Sequence, residues 1–322
     1  SAAPADAAAI RLRLGYMERK LERRDEARQH FEQAAAMPPG INDAIRGEAA
    51  LRLGYLLPKD EATTILQKIV SGEYAVALEG RCEAAQLLGA YAHRDRHHRT
   101  AIGYFQAIAD TSTATRQIAH ARCELAGLWF ELANGGGVDG EHLDEALRPA
   151  AWDKARSFAR QVMDTTDTIA RDRRMVAELM HFETFWFQDR HAESYEGGKA
   201  FLARWSGLST ETLKPNERKY LTTARTFHMQ NAFVLGHLEE AEAMALELIA
   251  DPPSKSVQFQ RSDAYLYALA VARLVAQEHG DRESPAKLRA LAAEHRPDMR
   301  YFYSIANTLQ NRRTRNLSAT AQ

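Results

Sequence analysis

Residues 14–39 read LGYMERKLERRDEARQHFEQAAAMPP, a pattern typical of two consecutive helices. The opening Leu-Gly pair belongs to a first helical pattern, and a polar turn follows it. Ala27, Phe31 and Ala34 then recur at i, i+4 and i+7, which places them on one face of a second helix. The closing prolines cannot continue that helix. The stretch therefore predicts a helical hairpin.

The start of this hairpin pattern returns three times along the chain. Leu14, Leu53, Leu88 and Leu125 are each followed by Gly or Ala, and 39, 35 and 37 residues separate successive members. Each interval accommodates two helices and their turns. Small residues at these positions let paired helices approach closely, because a packed core has little spare volume. The chain therefore predicts tandem hairpins without strands.

The order of these residues resembles the tetratricopeptide repeat family. The matching residues of the first unit are Leu14, Gly15, Ala27, Phe31 and Pro39. Arg11 and Glu18 depart from the pattern, since the family has tryptophan and tyrosine there. The resemblance implies an all-α fold, a right-handed superhelical solenoid of stacked antiparallel helix pairs. It also implies a protein that binds protein segments.

The pattern divides the chain into five segments. Residues 1–7 are expected to be a linker or tail, and residues 8–130 form the regular repeats. An insertion loop is expected at 131–152, because it contains three consecutive glycines. Residues 153–310 contain degenerate repeats and a capping helix, and the polar, Arg-rich segment 311–322 is expected to be a flexible tail.

Composition excludes several classes of protein. The chain has 322 residues and a formal net charge of −1, so no overall field attracts nucleic acid or an anionic membrane. No apolar run reaches the roughly 18 residues of a membrane span. Two cysteines cannot form a disulfide framework, and Cys82 and Cys123 are expected to be reduced and packed.

Catalytic motifs do not occur in the sequence. It contains neither a phosphate-binding glycine loop nor a nucleophile elbow, so no catalytic residue and no cofactor is predicted. The richest polar cluster is HRDRHHR at 93–99, in which His93 and His97 are spaced for one helix face that could bind zinc. The cluster falls in a turn and is rich in arginine, which favours a solvated turn over a metal site. Contact with an anion or an acidic peptide is the alternative.

Two aromatic clusters stand out near the second half of the chain. Residues 181–187 read HFETFWF, which favours core packing but leaves Trp186 as a candidate exposed anchor. Residues 301–303 read YFY and precede three arginines, which favours a final capping helix. Stacking on nucleic acid is the alternative for that segment.

First helices line the inner side of a helix-pair solenoid, so a binding groove is predicted there. Its aromatic and basic residues suit a peptide with acidic groups. The candidate peptide-binding residues are Tyr16, Arg19, Lys20, Tyr55, Lys59, Gln86, His93, Arg94, Phe130 and Trp186.

The predicted function is that of a non-catalytic scaffold that binds a protein or peptide. The alternative is a structural assembly or secretion and export component of the bacterial cell envelope. The chain opens SAAPADAAA, which is typical of a segment that follows a removed signal peptide or of an engineered leader. It favours the cell envelope or periplasm, with the cytoplasm as the alternative. The sequence argues against a nucleic-acid partner and leaves homo-oligomer formation open.

Overall fold

The computed structural model is all-helical where it describes the chain. The described residues are 4–40, 42–138, 142–165, 169–209, 211–250, 259–296 and 298–320. They form fifteen α-helices and one short 3-10 helix, and no strand occurs among them. This confirms the predicted fold class. The chain divides into two compact units, Ser1–Ile169 and Ala170–Gln322, called unit 1 and unit 2.

Unit 1 contains four helix pairs. Its helices are α1 (Pro4–Lys20), α2 (Arg24–Ala35), α3 (Asp43–Gly54), α4 (Lys59–Val70), α5 (Leu78–Arg94), α6 (His98–Thr111), α7 (Thr115–Ala133) and α8 (Arg148–Met163). Each helix packs against the next. In addition, α1 contacts α3, α3 contacts α5 and α5 contacts α7, whereas the second helices of the pairs make no comparable mutual contact in the part of unit 1 that is described. The first helices therefore form the inner wall of unit 1.

Glycines bring the two helices of a pair together. A Cβ added to Gly15 would lie 2.6 Å from the Phe31 ring, and one added to Gly89 would lie 2.8 Å from the Phe105 ring. The predicted close approach is thus present. The aromatic rings of the second helices occupy this space, and both rings are fully buried.

The insertion after α7 is shorter than expected. Helix α7 continues to Ala133, and a 3-10 turn at Glu145–Leu147 leads directly into α8, where the sequence suggested a loop over 131–152. Gly135 and Gly137 have φ angles of +81° and +111°, so the glycines do end the helix. Residues 139–141 of this segment lie outside the described residues.

Unit 2 begins as a second set of helix pairs. Its helices are α9 (Arg171–Phe187), α10 (His191–Trp205), α11 (Pro215–Leu235), α12 (Leu238–Ala250), α13 (Phe259–Glu278), α14 (Ser284–His295) and α15 (Met299–Thr320). Helices α9, α11 and α13 contact one another in turn, as the first helices of unit 1 do. Helix α12 packs on one side of α11 and α13, and α15 packs across the same two helices. Helix α15 therefore covers the inner wall of unit 2.

The end of the chain differs from the expected flexible tail at 311–322. Helix α15 is continuous through these positions up to Thr320. Phe302, Ile305 and Leu309 recur at i, i+3 and i+7 and are almost fully buried, so one face of the helix is anchored in the core of unit 2. At the other end, α1 already begins at Pro4, within the expected linker, and residues 1–3 lie outside the described residues.

Two further expectations concern cysteine and the membrane. Cys82 and Cys123 are not joined in a disulfide, and both are buried. None of the helices in the described ranges combines the length and the apolar character that crossing a bilayer requires.

Candidate functional site

A ladder of hydrogen bonds crosses the inner wall of unit 1. Arg52 Nε donates to Glu48 Oε1 at 2.8 Å and to the Tyr16 hydroxyl oxygen at 2.9 Å. Its Nη1 donates to Glu83 Oε1 at 2.8 Å, and the Tyr55 hydroxyl donates to the same oxygen at 2.6 Å. The Tyr16 hydroxyl donates to Glu48. These five residues, the inner-wall ladder, connect α1, α3 and α5.

Burial and charge hold the ladder in one protonation state. Burial alone would lower the pKa of Arg52, but hydrogen bonds to Glu48 and Glu83 outweigh it and raise that pKa. Burial, together with the hydrogen bond to Glu83, raises the pKa of Tyr55. The arginine therefore stays charged between two carboxylates, and the tyrosine keeps the proton that it donates.

Exposed cations lie at the C-terminal ends of two inner-wall helices. Arg19 and Lys20 end α1, and Arg94 ends α5. All three are exposed, and none forms an ion pair with another described residue. The charge of Arg19 acts on the exposed Tyr55, and the Arg94 guanidinium lies 5.4 Å from the ring centroid of Tyr91. We call Arg19, Lys20 and Arg94 the basic rim.

Other predicted groove residues are placed differently. Lys59 begins α4, a second helix, and pairs with Asp95 in the turn after α5, so it bridges neighbouring repeats. The hydrogen bond from Lys59 lowers the pKa of Asp95. Gln86 is half-buried on α5, and Phe130 is half-buried on α7. Both are on inner-wall helices, as predicted.

Trp186 is not an exposed anchor. It belongs to α9 of unit 2, and only 5% of it is exposed. The Arg312 guanidinium of α15 lies 4.4 Å from the indole centroid. The core packing that the sequence favoured therefore holds for Trp186, and the candidate exposed anchor does not, because α15 covers this part of the inner wall.

A second polar constellation joins three helix ends of unit 1. His98 Nε2 lies 2.6 Å from Glu131 Oε2, and His93 Nε2 lies 3.0 Å from the same oxygen. One ligand atom from each residue can be chosen so that all lie within 4.8 Å of one another. Hydrogen bonds to both histidines outweigh the effect of burial and lower the pKa of Glu131. We call these three residues the histidine cluster.

The histidine close to His93 is His98, not His97 as the sequence spacing suggested. Helix α5 ends at Arg94, and Arg96 has a φ of 65°, so His97 does not continue the helix face that carries His93. His98 is the first residue of α6 and is buried. His98 and Glu131 are 33 positions apart in the chain, so the spacing of residues within one helix cannot predict their contact.

Comparison with known proteins supports the fold. No protein-family model and no curated protein matches the sequence. The chain is similar in structure to a signal transduction ATPase (STAND protein) with a tetratricopeptide repeat sensor from Pyrococcus horikoshii, with a TM-score of 0.60 and 12% identity over 94% of this chain and 43% of that one. It is also similar to the apo form of the quorum sensor NprR from B. thuringiensis, with a TM-score of 0.53 and 10% identity over 95% of this chain and 79% of that one. The chain thus has a tetratricopeptide-like helical repeat fold.

Proposed function

We propose that unit 1 is a non-catalytic repeat scaffold whose inner wall binds an acidic peptide segment of a protein partner. The basic rim is the observation that carries the proposal. Arg19, Lys20 and Arg94 present positive charge to solvent without an ion pair among the described residues. A carboxylate placed there gains charge-assisted hydrogen bonds, and the cations attract an acidic partner from a distance.

Aromatic side chains beside the rim give the peptide an apolar surface. Tyr55, which directly follows α3, is 38% exposed, and the half-buried Tyr91 lies under Arg94 on α5. Tyrosine and arginine are enriched among the residues that contribute most to interface binding energy. Together the rim and the tyrosines suit a peptide that alternates acidic and apolar residues.

The inner-wall ladder supports binding by fixing the surface in advance. Tyr16, Arg52 and Glu83 connect α1, α3 and α5 through side chains that are only partly exposed. A peptide that binds to this wall does not have to order these helices, so less of its interaction energy is lost on binding. Tyr16, Glu48, Arg52 and Glu83 are therefore positioning residues, whereas the basic rim and the Tyr55 ring contact the partner.

The structural neighbours are consistent with a binding role. Both are described as sensors, one through its tetratricopeptide repeats and one as a quorum sensor. In unit 2 the equivalent wall is already covered by α15, which pairs Arg312 and Arg315 with Asp189. Unit 1 is therefore the better candidate for an external peptide.

Selection from a random peptide library tests the proposal without a known partner. The full chain is immobilised and used to select from displayed 12-residue peptides, and the bound pool is sequenced. The same selection is run on the double variant Arg19→Glu with Arg94→Glu. The matched control is Lys68→Glu with Arg160→Glu, because both residues are exposed on second helices and the change in net charge is identical.

We expect the wild type and the control to enrich peptides rich in Asp and Glu. The rim variant should lose that enrichment, and the affinity of a selected peptide, measured by fluorescence anisotropy, should fall by at least about tenfold, which corresponds to about 1.4 kcal/mol. A wild-type pool without acidic enrichment would overturn the proposal. Equal losses in the rim and control variants would also overturn it, since they would indicate attraction by net charge alone.

A further inference from the structure

The histidine cluster brings together three side chains that the proposed peptide site does not use. His93 lies in the last turn of α5, His98 begins α6 and Glu131 lies near the end of α7. The cluster therefore connects the third and fourth helix pairs of unit 1. The His93 and His98 rings are T-shaped, with centroids 5.6 Å apart.

The hydrogen bonds of His98 leave a place for one more cation. Its Nδ1 lies 2.8 Å from the carbonyl oxygen of Arg96, and its Nε2 lies 2.6 Å from a carboxylate oxygen of Glu131. Both partners are acceptors, and a neutral imidazole has only one N–H. A neutral His98 can therefore donate to only one of these two partners, and with Nδ1–H donating to the carbonyl its Nε2 is free to bind a cation beside the carboxylate.

A backbone carbonyl orients the His98 ring in the same way that one often orients a metal-binding histidine. Such histidines typically donate their other ring N–H to a carbonyl or carboxylate, which fixes the ring and directs the free nitrogen to the metal. Here the Arg96 carbonyl accepts from Nδ1, and it also accepts from the Val138 backbone N–H at 3.1 Å. The His98 side chain is only 3% exposed, so its ring is fixed by packing as well.

The donor set is that of zinc. Two imidazole nitrogens and one carboxylate oxygen are a common set of three protein ligands, with a fourth position left for water or another ligand. The side chains of His93 and Glu131 are 31% and 45% exposed, so that position faces solvent. Zinc-bound atoms at bond lengths of about 2.0 Å lie about 3.3 Å apart. The Glu131 oxygen lies 2.6 Å from His98 Nε2 and 3.0 Å from His93 Nε2, and the chosen ligand atoms all lie within 4.8 Å of one another. Small movements of the partly exposed His93 and Glu131 side chains around the fixed His98 ring would bring the three atoms to that spacing.

From this geometry we infer that His93, His98 and Glu131 bind a divalent transition metal ion of the zinc class. Glu124 adds negative charge near His93, and the Arg94 side chain is directed to the Tyr91 ring. The metal ties the ends of α5, α6 and α7 together. Because metal bound to the native state stabilises it, zinc raises the midpoint of thermal unfolding of the chain.

The test uses the full chain without a histidine tag, freed of metal with a chelator and then dialysed. Zn²⁺ is titrated by calorimetry, and Co²⁺ is titrated by visible absorption, which reports its coordination geometry. The variants His93→Ala and Glu131→Gln remove exposed ligands and spare the buried His98. The matched control is His97→Ala, an exposed neighbour outside the cluster. Circular dichroism confirms that each variant is folded.

We expect one Zn²⁺ per chain with a Kd below about 1 μM, and cobalt absorption typical of four coordination. Each ligand variant should weaken binding by at least about tenfold, and His97→Ala should leave it within about twofold. Failure of the wild-type chain to bind either metal saturably would overturn the inference. Unchanged affinity in His93→Ala and Glu131→Gln would overturn it too, since the ion would then bind elsewhere.

Discussion

Arg312 of α15 lies over the indole ring of Trp186 of α9, with 4.4 Å between the guanidinium carbon and the ring centroid. Its Nη1 also donates to the Trp186 backbone oxygen at 2.7 Å and lies 3.0 Å from Asp189 Oδ1. One side chain thus combines a cation–π contact with a bond to a helix-end carbonyl and an ion pair. It joins the last helix of unit 2 to the first.

Replacing this arginine should loosen α15. Arg312→Ala removes a partly buried cation and the charged donor to the Trp186 carbonyl, which then keeps only backbone donors such as the Asp189 N–H at 3.2 Å. We therefore expect a loss of about 1–3 kcal/mol in local stability. Hydrogen-exchange mass spectrometry should show faster exchange in peptides from α15. Arg315→Ala is the control, because its side chain is 65% exposed in its pair with Asp189 and such pairs contribute under about 1 kcal/mol. Equal effects of the two substitutions would contradict this assignment.

Helix α15 provides a matched pair of leucines, one buried and one exposed. Leu309 is 1% exposed and Leu317 is 49% exposed, and both lie on the same helix. Leu309→Ala should lower the free energy of unfolding by about 2–5 kcal/mol, because it removes buried methyl groups and leaves a cavity. Leu317→Ala should change it by less than about 0.5 kcal/mol. Urea denaturation of both variants measures the difference, and similar midpoints would show that α15 does not pack as described.

Glu183 makes the stability of unit 2 depend on pH. It is 8% exposed on α9, and burial raises its pKa from 4.5 to about 8 against the opposing charge of Lys219. Between these values the folded chain keeps a proton that the unfolded chain has lost, so stability falls as pH rises. The slope from this one group approaches about 1.4 kcal/mol per pH unit.

The variant Glu183→Gln isolates that contribution. Its amide does not ionise, so its advantage in unfolding free energy over the wild type should grow from pH 5 to pH 8. Urea denaturation of both proteins at four pH values measures this gap. A gap that is independent of pH would show that Glu183 is ionised in the folded protein.

The helical hairpins could be predicted because their signal is local. Gly15 and Phe31 are 16 positions apart, and Gly89 and Phe105 have the same separation and make the same tight contact. Such a spacing is visible in the sequence alone. In both pairs the ring that meets the glycine follows the small residue of the second helix, Ala27 or Ala101, by one helical turn.

The histidine cluster and the packing of α15 over the inner wall of unit 2 could not be predicted in this way. His98 contacts Glu131 only because two consecutive helix pairs stack. The hydrophobic periodicity of a helix predicts its buried face but does not predict which helix ends lie next to each other. The spacing of Phe302 and Leu309 does predict a helix, but it does not reveal that the helix lies across α11 and α13. The arginines that follow were interpreted as a tail, whereas Arg313 donates to the Phe233 carbonyl at 2.8 Å.

The inner-wall ladder makes a final prediction that separates stability from binding. Arg52→Gln leaves Glu48 and Glu83 without their shared cation, so the free energy of unfolding should fall by about 1–3 kcal/mol. Arg13→Gln is the control, because Arg13 is exposed on α1 and has no ion pair among the residues described. If the ladder positions the basic rim, Arg52→Gln should also weaken binding of a selected acidic peptide, measured at a temperature where the variant is fully folded. Full affinity under those conditions would show that the rim binds peptide without help from the ladder.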